Sequence, residues 1–165
     1  MTCWWTWEMW SVCRARALGF FAAVLLAAAW AAPARAQVCT QVTAVAVAFG
    51  TYDERTPTPL NGTGQVRVQC DTGTPYQVSL DPGAHAGADF SRAMSDVGGL
   101  YRLEYNLFID SSRTQIWGDG TGTTQVVNGT AQGAQDILQV YGRVPALQPV
   151  GVGAYTDTVT VTVDY

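Results

Sequence analysis

The chain has 165 residues, with 9 basic and 13 acidic side chains, one histidine and a formal charge of −4, which suits a single domain with a core of ordinary size. Its acidic balance argues against nucleic acid and anionic lipid as partners. With one imidazole in the whole chain, a histidine-based catalytic relay or metal centre has little to draw on.

In chain order, Arg14 and Arg16 come first, ahead of an apolar run at 18–30 (LGFFAAVLLAAAW), followed by Pro33 and the small-residue pattern Ala34-Arg35-Ala36. This is the three-part layout of a secretory signal peptide, with cleavage expected after Ala36. The run falls short of the roughly 20 residues of a membrane span, so no membrane anchor is expected in the mature chain. Residues ahead of Arg14 are unusual for such a signal, and Met9 is a candidate start. The expected domain, 37–165, holds six Arg, no Lys and twelve Asp plus Glu, a formal charge of −6. Cys3 and Cys13 leave with the signal. Cys39 and Cys70 remain as an isolated pair in a chain addressed to an oxidising compartment, so a disulfide between them is expected.

From Cys39 onward, short alternating apolar runs stand between turn signals, with no helical period. Val45, Val47 and Phe49 alternate up to Gly50. A loop is expected at 57–64, with Asn61-Gly62 as its turn. Val66, Val68 and Cys70 share one face, as do Tyr76, Val78 and Leu80. The polar stretch 84–99 reads as a long surface connection with a short helical turn at 91–94. Leu103, Tyr105, Leu107 and Ile109 form the clearest alternation, residues 118–122 (GDGTG) a turn, and Asn128-Gly129 a second hairpin-type turn. Leu138, Val140 and Val144 belong to a further strand. The final run, YTDTVTVTVDY, writes out both faces of a strand residue by residue. About seven strands at this spacing predict an all-β, antiparallel sandwich with Greek-key crossings.

Candidate chemistry is sparse. His85 lies in a Gly/Ala loop and is expected to be solvated. Glu104 and Asp110 share an outer strand face instead of facing each other across a cleft. Asp119 alone is too few carboxylates for a calcium loop. No cofactor, no metal and no enzymatic activity are expected.

The segments Phe49-Gly50-Thr51-Tyr52, GQVRVQC at 64–70, YQVSL at 76–80, Arg92-Ala93-Met94, Leu103-Glu104-Tyr105, Trp117-Gly118-Asp119-Gly120, Val140-Tyr141-Gly142-Arg143 and GAYTDTV at 153–159 together resemble the spore coat protein U domain family. That family includes archaic, Csu-type pilins of the chaperone-usher pathway. The resemblance implies an immunoglobulin-like sandwich that lacks its last strand and is completed by strand addition. It implies a non-enzymatic structural or adhesive subunit of a pilus or spore coat, exported through the periplasm to the cell surface. The implied partners are a periplasmic chaperone, an outer-membrane usher and other pilin or coat subunits. On this reading Val159, Val161 and Val163 line the acceptor groove and Tyr165 sits at its rim, with Thr158, Thr160 and Thr162 facing outward. Only Gln37 and Val38 separate the expected cleavage site from Cys39, so accepting a strand, more than donating one, is the expected role. The alternative is a self-sufficient secreted module that binds carbohydrate or another surface ligand, with exposed Tyr52, Tyr101 and Trp117 as stacking surfaces.

Overall fold

The computed structural model describes residues 37–87 and 90–165; the expected signal peptide and the Met9 start lie outside the described residues. Among these described residues nine strands follow one another without a helix: β1 (Cys39–Val45), β2 (Leu60–Cys70), β3 (Pro75–Leu80), β4 (Arg92–Asp96), β5 (Arg102–Phe108), β6 (Val127–Thr130), β7 (Asp136–Val144), β8 (Tyr155–Thr156) and β9 (Val161–Asp164). Among the described residues they form a six-stranded sheet, ordered β1-β2-β7-β5-β4-β8, and a three-stranded sheet, ordered β6-β3-β9. Every pairing between these strands is antiparallel. The result is the expected antiparallel, immunoglobulin-like sandwich.

The core follows from the two-residue period. Val66 and Val68 from β2, Tyr76, Val78 and Leu80 from β3, Leu103, Tyr105 and Leu107 from β5, and Val140 and Val144 from β7 are all buried, while their neighbours along each strand face outward. Trp117, between β5 and β6, is fully buried and donates its indole N–H to Val78 O at 3.0 Å.

Three local expectations are corrected. Residues 91–94 do not form a helical turn, because Arg92–Asp96 is strand β4, paired with β5 and β8. Arg92, Ala93 and Ser95 are all buried, so β4 shows no polar face and its period is hidden. Both Asn-Gly pairs lie inside strands, in β2 and β6. Their glycines serve close approach instead of a turn. Gly62 and Gly142 stand opposite each other across β2 and β7, and a Cβ on either would meet Val47 or Phe49, at 2.9 and 2.6 Å respectively. A Cβ on Gly129 would collide with the Tyr76 ring. Finally, the last strand is two strands. Residues 155–156 pair with β4 in the larger sheet, whereas 161–164 pair with β3 in the smaller one.

Arg92 explains how the two sheets are tied at one end. Its guanidinium is fully buried and donates from Nε and Nη2 to Asp81 O (3.1 and 2.7 Å), from Nη2 to Trp117 O (2.8 Å) and from Nη1 to Asn106 Oδ1 (2.9 Å). Burial pulls its pKa below the usual arginine value. These donors satisfy carbonyls that would otherwise be stranded in the interior.

Cys39 and Cys70 are bonded, directly opposite each other across β1 and β2, with a sequence separation of 31. Replacing both by serine is expected to cost about 3–4 kcal/mol on the chain-entropy account. The urea midpoint of the double variant checks this. An unchanged midpoint would show that the backbone pairing of β1 suffices without the bond.

Candidate strand-acceptor groove

The two sheets are unequal, and the smaller one leaves part of the larger one uncovered. Val42 on β1 stands opposite Val68 on β2 and therefore on the same face, yet Val68 is 1% exposed and Val42 42%. Among the described residues nothing covers the inner face of β1. Beyond β1, residues 46–49 leave the sheet edge and lean inward, and Val47 and Phe49 settle over the Gly62–Gly142 depression.

Between this segment and the C-terminal strands lies a cavity of about 470 Å³. One wall is residues 44–47 with Phe49, the other residues 155–159 with Val161. Val66, Leu80, Met94, Tyr105, Leu107 and Val140 form the floor. Each wall ends in an unpaired edge: among the described residues β1 pairs with β2 alone and β9 with β3 alone.

The wall at 157–160 belongs to neither strand, and the loop at 81–85 holds it in place. Asp81 N donates to Thr160 O (3.0 Å), Thr160 N to Asp81 Oδ1 (2.9 Å) and Ala84 N to Thr158 O (3.0 Å). Asp157 is at the centre of this contact. Its side chain, 1% exposed, accepts from Tyr105 Oη at 2.8 Å, from Ala84 N at 3.1 Å and from His85 Nδ1 at 3.1 Å. A carboxylate only accepts, so the histidine proton is on Nδ1. Burial and the bond to Asp157 push the Tyr105 phenol above its ordinary range, so it remains a donor. The Tyr105 ring in turn packs edge-on against Phe49 on the opposite wall, with centroids 5.8 Å apart.

Of the residues named from sequence, Val159 and Val161 line this cavity. Val163 is on the same face but lies past the opening, opposite Val78 and against the core. Tyr165 is 62% exposed and outside the lining. Thr160 and Thr162 face outward. Sequence reasoning missed the opposite wall and the Asp157 node. The alternation of Val45, Val47 and Phe49 was a usable signal for the wall. A carboxylate at an inward position of the final alternating run was the signal for the node.

Of the three stacking residues that the carbohydrate-module alternative names, Trp117 is fully buried and Tyr101 is 47% exposed, and Tyr52 commits its hydroxyl to Pro145 O and Gln148 N. His85, expected to be solvated, is instead paired with Asp157. Among the described residues no group of three His, Cys, Asp or Glu side chains gathers to hold a metal, and no helix is long and apolar enough to cross a membrane.

Comparison with known proteins places this geometry. The model of the Spore Coat Protein U domain matches residues 25–162, starting within the expected signal. Protein U of Myxococcus xanthus is 33% identical over 130 residues, 71% of this chain and 70% of that protein. Among solved structures, the chain is similar to one in the CsuC-CsuE chaperone-tip adhesion subunit pre-assembly complex, from archaic chaperone-usher Csu pili of Acinetobacter baumannii. That match has 25% identity and a TM-score of 0.57, over 79% of this chain and 40% of the other, so this chain spans less than half of that one. With an all-β sandwich, an uncovered inner face and a family match across most of its length, the chain belongs to the spore coat protein U domain family.

Proposed function

We propose that the protein is a non-enzymatic structural subunit of a bacterial surface pilus or coat, and that its residues 37–165, secreted after removal of 1–36, are assembled by strand addition. The observation that carries this reading is the open apolar cavity between two unpaired strand edges. An extended segment laid there meets backbone N–H and C=O groups along β9 and apolar positions alternating with polar ones, the two requirements of strand addition. Val159, Val161 and Val163 give the accepting strand its inward face. A periplasmic chaperone supplies the segment first, and another subunit replaces it during export through an outer-membrane usher. The pilus complex to which the chain is similar contains a chaperone, in keeping with this order of events.

The test uses purified 37–165 and a synthetic peptide of ~10 residues alternating valine and threonine, with terminal lysines for solubility. At a free concentration 100 times its Kd, a ligand specific for the folded state adds about 2.7 kcal/mol, which raises Tm by roughly 8 °C for a domain of this size. A scrambled peptide without alternation gives no rise. A cooperative, high-melting chain that gains nothing from the alternating peptide would overturn the proposal.

A further inference from the structure

We infer that Met94 is an oxidation site on the groove floor, open to peroxide while the groove is empty and shielded once a strand is added, and that its sulfoxide disfavours strand addition. This rests on the strand-acceptor reading. Met94 is the sole methionine after residue 36, and the other two sulfurs of 37–165 are joined in the Cys39–Cys70 bond. It therefore carries the only reduced sulfur of the domain, in a chain that the proposed export route takes out of the reducing cytoplasm.

Met94 stands opposite Leu103 across β4 and β5, on the face that both strands turn inward. Leu103 and Tyr105 on that face are buried. Met94 is only half-buried, and it lines the cavity together with Leu80, Leu107, Val140 and Val159. An extended segment laid along the cavity covers this lining, and Met94 with it.

A thioether reacts without losing a proton, so access to the sulfur governs its oxidation. The sulfur lone pair takes one oxygen atom from hydrogen peroxide. The O–O bond breaks, water leaves, and the sulfur is oxidised by two electrons as the peroxide is reduced. The product replaces a flexible apolar side chain by one that carries a strong hydrogen-bond acceptor. In the empty cavity water satisfies that oxygen. Under an added strand the water is displaced, and the Tyr105 hydroxyl in the same lining is already committed to Asp157. The oxygen is then buried without a donor, a cost that falls on the complex.

The test uses 37–165, hydrogen peroxide and the alternating valine–threonine peptide, which contains no sulfur. Intact mass follows the addition of one oxygen atom, and peptide mapping assigns it to Met94. The chain alone is expected to oxidise within about tenfold of the rate of free methionine. With the peptide at about 100 times its Kd, oxidation is expected to be slower by about tenfold or more. Chain oxidised beforehand is expected to bind the peptide about tenfold or more weakly. It is expected to keep its cooperative urea transition and to regain affinity when a methionine sulfoxide reductase restores the thioether. Met94→Leu, close in volume and without sulfur, is expected to bind equally before and after peroxide. Oxidation confined to urea-unfolded chain, oxidation no slower with the peptide seated, or a sulfoxide that unfolds the chain each overturns the inference. If the peptide binds neither form, the acceptor reading fails and the inference falls with it; if it binds both forms equally, only the inference falls.

Discussion

Val159→Asp is expected to weaken strand addition by about 100-fold or more while leaving the empty chain folded. In the open cavity, residue 159 is half buried and reached by water, so a carboxylate there stays hydrated. Covering it with an added strand strips that water away among apolar side chains, at a cost of several kcal/mol. The cost falls on the complex, not on the free chain. Thr162→Asp places the same charge on the same C-terminal run but on its exposed outer face, and is expected to change binding by no more than about threefold. Calorimetric titration with the alternating peptide checks both. Equal losses in the two variants would mean that net charge, not groove filling, governs binding, and the acceptor site would have to be sought elsewhere.

Trp117→Ala is expected to cost about 3–5 kcal/mol of folding stability from lost packing. It also leaves Val78 O without its donor, which adds about 1–3 kcal/mol. Trp117→Phe separates the two contributions, since it keeps much of the ring volume and removes only the N–H. Urea midpoints of the three proteins provide the comparison. If Phe and Ala variants were equally destabilised, the hydrogen bond, not the packing, would be the dominant interaction at this position.

The parts of the fold that were legible in the sequence share a physical property. Strands β2, β3, β5 and β7 each have one buried and one wetter face over much of their length, so their alternation is written in the residues. Strand β4 has no such face. Ala93, on its outer side, is covered, and Arg92 on the inner side looks like a surface residue until its three carbonyl and amide acceptors are known. The Asn-Gly pairs were misread for a different reason. A glycine that permits a turn and one that permits close approach are the same letter, and what distinguishes them here is Val47, Phe49 or Tyr76, distant in sequence. For the groove, the inward run through Val159 and Val161 was legible. Which of its positions open onto the cavity was not, because the opening is defined by where the opposite wall lies. Val163 and Tyr165 continue the same period, but one has reached the closed core and the other has passed beyond it.

Burial of Trp117 also provides an optical handle. It is the sole tryptophan after residue 36, so the fluorescence of 37–165 excited at the indole comes from one site inside the sandwich. That ring is absent from the cavity lining. Its emission should therefore shift to the red when the sandwich opens and hold its wavelength when a peptide fills the groove, so that binding and unfolding can be told apart in one cuvette without a label.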